Sequence, residues 1–356
     1  MVFVFSHKYK RKILIFVTVK TKLLGKTPAE LAELARSCGL KPFVGRQLAL
    51  WMYDGKVTDW ERMTNISKQS KAALQEISEL GTSGPVGRAE SSDGTVKYLF
   101  RVGEGEAVES VVIPDNGRKT LCVSSQAGCR MGCRFCMTGR QGWHGNLDAA
   151  DILNQFVSIP EASELTNAVF MGMGEPFDNY DAVSRAIDIL TSPEGFGWSP
   201  KRITVSTIGV LPVLKHFLDG QRCHLAVSLH NPFPDERLEM MPVQKAWPLE
   251  DIVALIRRYD FSGQRRVSFE YTMFAGWNDD KRHADALVRM LRGLECRVNL
   301  IRFHKIPDFP HACPPDAVME EFKNRLNNQG IVCTIRASRG EDVLAACGML
   351  AGRHSL

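Results

Sequence analysis

Residues 120–142 read TLCVSSQAGCRMGCRFCMTGRQG. A short, apolar, β-branched run passes directly into a glycine-punctuated loop that holds Cys129, Cys133 and Cys136, with Cys122 back in the run itself. These are four of only ten cysteines in a chain of 356 residues. A chain of that length buries a full apolar core and needs no disulfide staples. Thiols crowded into one loop therefore call for a chemical reason, and compartment decides which kind, because secreted proteins oxidise thiols while the cytosol keeps them reduced. The N-terminal MVFVFSHKYKRKILIFVTVKTK has a basic run and the apolar ILIFVTV, but that core is short, Lys20 and Lys22 follow it, and no small-residue cleavage site appears. It is also too short to span a bilayer. Residues 1–20 read as an extension or a misassigned start, and the protein as cytoplasmic with no membrane partner. Its cysteines are then free thiols or metal ligands.

Outward from the loop, β-branched apolar runs alternate with amphipathic stretches: TLCVSS then DAADILNQF, NAVFMGMG then YDAVSRAIDIL, RITVSTIG then VLPVLKHFL, HLAVSLH then PLEDIVALIRRYD, RRVSFEYTMFAG then KRHADALVRMLRG, and CRVNLIRF then DAVMEEFKNRLNNQG. Six such units with continuously apolar strands predict a parallel sheet covered by helices, an α/β fold best drawn as a partial (βα)6 barrel over residues 120–330. IVCTIRAS and EDVLAACGMLAG close the chain as an expected strand and helix over residues 331–356. Upstream, Asp93-Gly94 before an alternating run marks a β-hairpin extension over residues 85–119. Residues 21–84 read as a small helical module, opened by Thr27, Pro28 and Glu30 in a capping box and stopped in turn by Gly55 and Gly81. In parallel βα architectures reactive groups gather at the C-terminal ends of the strands, where the cysteine loop, GMGEP, VSTIG, SLH and IRFH all fall. The formal charge of +5 is compatible with a polyanionic partner and is common among metabolic enzymes as well.

Cys129-x3-Cys133-x2-Cys136 offers three thiolates in one loop. A structural zinc usually takes two spaced ligand pairs, whereas three cysteines suit a [4Fe–4S] cluster that leaves one iron open. The spacing resembles the radical-SAM superfamily, in which the open iron chelates S-adenosylmethionine; GMGEP adds Gly174 and Glu175 where that superfamily meets the methionine amino group. With VFMGMGEPFDNYDAV, RITVSTIG, AVSLH and RGEDVLAACG in this order, the chain from about residue 23 to 352 is similar to the RlmN/Cfr family of RNA adenine methyltransferases.

The resemblance implies roles for named residues. Adenine C2 is electron-poor and cannot attack a methyl donor directly, so the family uses a tethered carbon radical. Cys347 matches the methyl-carrying cysteine, Cys122 the thiol that resolves the RNA–enzyme cross-link through a transient disulfide, and Glu109 the carboxylate that takes the C2 proton. Ser206, Ser228, Leu229, His230 and His304 match positions around the ribose and carboxylate of S-adenosylmethionine, two molecules of which are consumed per methylation. Left to its own sequence, Glu109 is a solvated face residue and Cys347 a small buried filler, the class to which Cys38, Cys223, Cys296, Cys313 and Cys333 are assigned. Two departures stand out: IRFH where relatives carry IPFN, and QGWHGNL for the common QGFxRNL, which removes an arginine beside the cluster.

The implied partners are 23S rRNA in its peptidyl-transferase region, tRNA at the adenosine 3′ of the anticodon, and an electron donor such as flavodoxin. Lys56, Arg62, Lys68 and Lys71 of the helical module, with Arg336 and Arg339 near Cys347, are available to phosphates. The target adenosine must be unstacked, hence in a loop or bulge. The motifs do not separate C2 from C8 methylation, and a non-catalytic, zinc-containing RNA-binding protein is the rival from another class.

Overall fold

The computed structural model describes residues 20–350 except Glu104 and Gln264, so the extension expected over residues 1–20 lies, but for Lys20, outside the described residues. Thr27 caps the first helix, Pro28–Ser37: its hydroxyl accepts from the Glu30 amide while the Glu30 carboxylate accepts from the Thr27 amide, the capping box expected. The second helix, Pro42–Ala49, crosses the first so closely that a Cβ on Gly45 would stand 2.3 Å from the Leu31 carbonyl, which only glycine avoids. A third helix, Lys68–Ile77, follows. Two short strands, β1 (Thr21–Lys22) and β2 (Ser78–Glu79), pair in parallel and bring both ends of this module together. Lys22 Nζ reaches the Asp148 and Asp151 carboxylates at 3.1 and 3.0 Å, and the Asn154 side chain exchanges hydrogen bonds with the Ser83 backbone, so the module is tied to the helix that follows the cysteine loop.

Three antiparallel strands, β3 (Gly87–Glu90), β4 (Val96–Val102) and β5 (Glu106–Asp115), lead into β6 (Arg118–Cys122), the first strand of the parallel run. Beyond it a small antiparallel pair, β7 (Gln126–Gly128) and β8 (Trp143–Asn146), frames the cysteine loop. The run continues through β9 (Asn167–Phe170), β10 (Ile203–Thr207), β11 (His224–Ser228), β12 (Val267–Met273), β13 (Arg297–Arg302) and β14 (Val332–Ile335), all parallel, in one ten-stranded sheet. The helices Ala149–Val157, Tyr180–Thr191, Leu211–Gly220, Leu249–Ile256, Lys281–Leu291 and Asp316–Asn328 are the six crossovers, each burying an apolar face. The sheet curls. Flat strands about 4.8 Å apart would put β14 and β9 more than ~20 Å from each other, yet Arg336, one residue past β14, donates to Met171 Sδ, one residue past β9, at 3.4 Å. This is the partial (βα)6 barrel expected from the alternation.

The helix expected around Cys347 is not formed. Residues 341–350 are turns, with Leu344 at φ 53 and Gly348 at φ 83. Left-handed residues cannot continue an α-helix. The segment's carbonyls are used elsewhere: Gly348 O accepts from the Met137 amide at 2.8 Å and Leu350 O from the Thr138 hydroxyl at 2.7 Å. The C-terminal segment is thereby fastened to the cysteine loop.

Candidate active site

The loop between β7 and β8 is built by close backbone contacts. Cys129 N donates to Gly142 O at 2.7 Å, and a Cβ on Gly128 would stand 2.0 Å from that same oxygen, so the sequence must have glycine there. Cys136 caps the short helix Met137–Arg140, and its amide donates to Cys133 O at 3.2 Å. Met131, Phe135 and Met137 pack on an apolar bed that includes Met241, Phe274 and Phe303. Burial comes first in raising the Cys129 thiol to about 12 and the Cys133 thiol well above its usual range; the Cys136 thiol pushes both further up, and Cys129 adds to the rise at Cys133. As free groups they are protonated; coordination to iron would make them thiolates. Among the described residues no three His, Cys, Asp or Glu side chains stand close enough to share one metal ion. Three thiols and no carboxylate in one apolar loop are the soft donor set that an iron–sulfur cluster takes.

Against this loop stand the ends of β9, β10 and β11. Gly174, at φ 95, passes so near Gln126 that a Cβ would meet its Cβ at 2.5 Å. Glu175 is buried, with Oε1 accepting from the Phe177 amide and Oε2 from the Ile208 amide, both at 3.0 Å. Desolvation raises its carboxyl to about 7 against the pull of these bonds and of Thr207. Ser206 and Ser228 are half-buried near their strand ends, and Leu229 is fully buried. His230 takes a positive φ of 56, accepts the Thr272 amide at Nδ1 (3.0 Å) and sets its ring 4.9 Å from Phe135. Burial, then Arg237, depresses it to about 3, so the imidazole is neutral with its proton on Nε2. Arg237 itself is fully buried and clamps this corner: Nη2 donates to Ser228 O, Nε to Leu229 O and Nη1 to Gln244.

The second thiol group lies beside the first. Cys122 ends β6 and is buried, its thiol raised to about 12 first by desolvation and then by Cys347. Cys347 keeps an exposed surface, though surrounding protein raises its thiol too, with Arg336 opposing. Arg336 faces both cysteines, and its guanidinium is held 3.4 Å from Glu270 Oε2. Glu270 is in turn bonded by Ser268 and Asn299. A positive charge within electrostatic reach of two thiols lowers the cost of either thiolate. Glu109 is no solvated face residue. Its carboxylate is buried and paired with Lys97 Nζ at 2.9 Å, a diagonal contact across β4 and β5. Ser124 Oγ, donating to Glu109 O and accepting from Met173 N, ties that strand to the GMGEP loop. His304 points its ring at Ser338 (3.1 Å) and Glu341 (3.4 Å), both on the C-terminal segment.

The structure places Cys129 and Cys133 within electrostatic reach of Cys136 and of Glu175, and Cys122 within reach of Cys347. Lys97, Glu270, Arg237 and Gln126 carry no local motif in the sequence, since each acts through contacts that only the folded chain brings together.

Residues 123–287 match the model of the radical SAM superfamily, and residues 21–80 that of the ribosomal RNA large subunit methyltransferase N-terminal domain. A probable dual-specificity RNA methyltransferase RlmN of Porphyromonas gingivalis is 58% identical over 93% of this chain and 94% of its own length. The dual-specificity RNA methyltransferase RlmN of Marinobacter nauticus is 39% identical over 94% and 93%. The crystal structure of a radical SAM methyltransferase from Sphaerobacter thermophilus superposes with a TM-score of 0.89 at 39% identity, covering 94% of this chain and all of that one. A three-cysteine loop at the mouth of a curled parallel sheet, two further thiols beside it and relatives that match almost end to end place this chain in the RlmN family of radical SAM RNA methyltransferases.

Proposed function

We propose that this protein makes 2-methyladenosine in RNA: in the peptidyl-transferase region of 23S rRNA and at the adenosine 3′ of the anticodon in some tRNAs. The observation that supports this reading most is the meeting of Cys122, Cys347 and Arg336 beside the Cys129, Cys133 and Cys136 loop. A structural zinc protein would have no use for the second pair of thiols.

Cys129, Cys133 and Cys136 would hold a [4Fe–4S] cluster, which with bound S-adenosylmethionine would supply a 5′-deoxyadenosyl radical. Gly174 and Glu175 receive the methionine ammonium, and the Ser206 and Ser228–His230 strand ends border the rest of the cofactor. Cys347 accepts a methyl from one S-adenosylmethionine by displacement, forming a carbon–sulfur bond. The S-methyl group on Cys347 would then give up a hydrogen atom to the 5′-deoxyadenosyl radical, which leaves as 5′-deoxyadenosine, and the methylene left on sulfur, aimed by its tether, would bond to C2. Glu109 would take the C2 proton while the adduct's unpaired electron passes back to the cluster from which the radical's electron came. Cys122 attacks the Cys347 sulfur, a disulfide forms as the carbon–sulfur bond breaks, and the freed carbon gains a proton to become the methyl. His304, through Ser338 and Glu341, steadies the segment that carries Cys347. The RNA is gripped in part by a cleft of about 900 Å³ between the helical module and the barrel, whose lining includes Lys56, Arg62 and Arg88. Electrons come from a flavodoxin-like donor, and the cytoplasm is the setting; among the described residues no helix is long and apolar enough to cross a membrane.

The test is anaerobic reconstitution with reductant and methyl-deuterated S-adenosylmethionine, followed by nucleoside mass spectrometry of unmodified 23S rRNA and tRNA fragments. The expected product is 2-methyladenosine whose methyl holds two deuteriums and one protium, because the radical removes one deuterium. 8-Methyladenosine would move the target carbon, and the absence of any labelled adenosine would overturn the reading.

A further inference from the structure

On the outer side of the cysteine loop, β8 presents Trp143 to solvent, with 44% of its surface open although the Arg130 guanidinium lies over the indole at 4.2 Å. A lone exposed aromatic means little. This one is held from two sides. Arg130 Nε is fixed to Asp178 Oδ2 at 2.8 Å, and the indole Nε1 donates to Asn146 Oδ1 at 3.2 Å. Gln126, fully buried, binds both anchors through Nε2, to Asn146 at 2.8 Å and to Asp178 at 2.7 Å, while its Oε1 accepts the Glu175 amide at 2.8 Å. One side chain therefore braces the stacked pair against the residue assigned to the cofactor's ammonium. The pair also starts one residue beyond Gly142, whose carbonyl holds the Cys129 amide.

A rigid indole backed by a guanidinium, exposed at the rim of a site that must accept an extruded base, has the chemistry of a stacking platform: every base has a π-face, and the cation beside it suits the adjoining phosphate. We propose that Trp143 and Arg130 stack an unpaired nucleobase that flanks the target adenosine of the RNA. This rests on the reading of the protein as an RNA-modifying enzyme. The platform holds the strand open next to the flipped base and sets its approach to Cys347.

The experiment measures binding, by fluorescence anisotropy, of a labelled RNA hairpin with the target adenosine in its loop, to wild type, Trp143→Ala, Trp143→Phe and Arg130→Met, with matched hairpins made abasic at either neighbour of the target. Trp143→Ala is expected to weaken binding about ten-fold or more, the loss of one base–aromatic stack, and Trp143→Phe to restore most of it. Removing the stacked base should weaken wild type by a similar factor and Trp143→Ala hardly further. Equal affinity of wild type and Trp143→Ala, or an abasic penalty of the same size in both, would overturn the platform. Wild type that binds the hairpin without ever methylating it would sink the proposed function while the affinities still read the platform; wild type that does not bind it would sink both.

Discussion

Glu175→Gln tests how the site is charged. The carboxyl is buried, both oxygens accept backbone amides, and desolvation raises it from 4.5 to about 7. That rise corresponds to roughly 3 kcal/mol between its two protonation states. The folded state holds the proton more tightly than the unfolded chain does, so this group's contribution to stability is whole below about pH 4.5, declines as pH rises towards 7, and is flat beyond. Glutamine does not titrate, but its NH2 must face one of the two amides that the carboxylate satisfied, a constant cost of about 1–3 kcal/mol. The variant should therefore be less stable than wild type near pH 5 and equal or more stable near pH 7.5, the difference moving by roughly 2.4 kcal/mol in the variant's favour. Urea unfolding of both cluster-free proteins at the two pH values measures it. In the same pair, S-adenosylmethionine affinity of the reconstituted wild type should fall about ten-fold per pH unit below 7, as ionised carboxylate is lost, whereas the variant binds weakly at every pH. A stability difference constant within about 1 kcal/mol over that range would refute the assignment of the raised carboxyl to Glu175.

Lys97→Met should cost about 3–5 kcal/mol, because it breaks a buried ion pair by removing one partner, and adding Glu109→Gln should recover much of that; a loss below about 1 kcal/mol in urea unfolding would mean that the pair is screened as at a surface. Arg237→Lys keeps the charge but cannot reach Ser228 O, Leu229 O and Gln244 together. S-Adenosylmethionine affinity by equilibrium dialysis should drop at least about ten-fold, and an unchanged value would show that the strand end needs no clamp. Cys122→Ala should accumulate a protein–RNA cross-link on denaturing gels, whereas Cys347→Ala should retain its iron and form none; cross-linking by the latter would remove Cys347 from its role.

The barrel was legible because parallel strands buried on both faces leave a repeating signature, apolar run then amphipathic stretch, that needs no knowledge of contacts. The Thr27 box was legible for the same local reason: both halves of the contact lie three residues apart. That Cys129, Cys133 and Cys136 share one loop was legible because they lie within eight residues of one another. Glu109 shows where such reading stops. An alternating strand says which face a residue occupies but not whether that face is covered, and here Lys97 and the GMGEP loop cover it. The turns around Cys347 failed for a related reason: AACGML has good helix formers, but the carbonyls of Gly348 and Leu350 found partners more than two hundred residues back.

That last contact has a consequence for the order of events in the cell. Translation finishes the Cys129, Cys133 and Cys136 loop long before it reaches Gly348 and Leu350, so until the final residues emerge the Met137 amide and the Thr138 hydroxyl lack the acceptors that hold them. With the cluster and Cys347 in the roles proposed above, the tail that carries the thiol also closes the seat for the iron, and an unfinished chain is expected to accept iron poorly. A chain stopped after Gly340 should load less iron under reconstitution than the full chain, and equal loading would show that the loop needs no such closure.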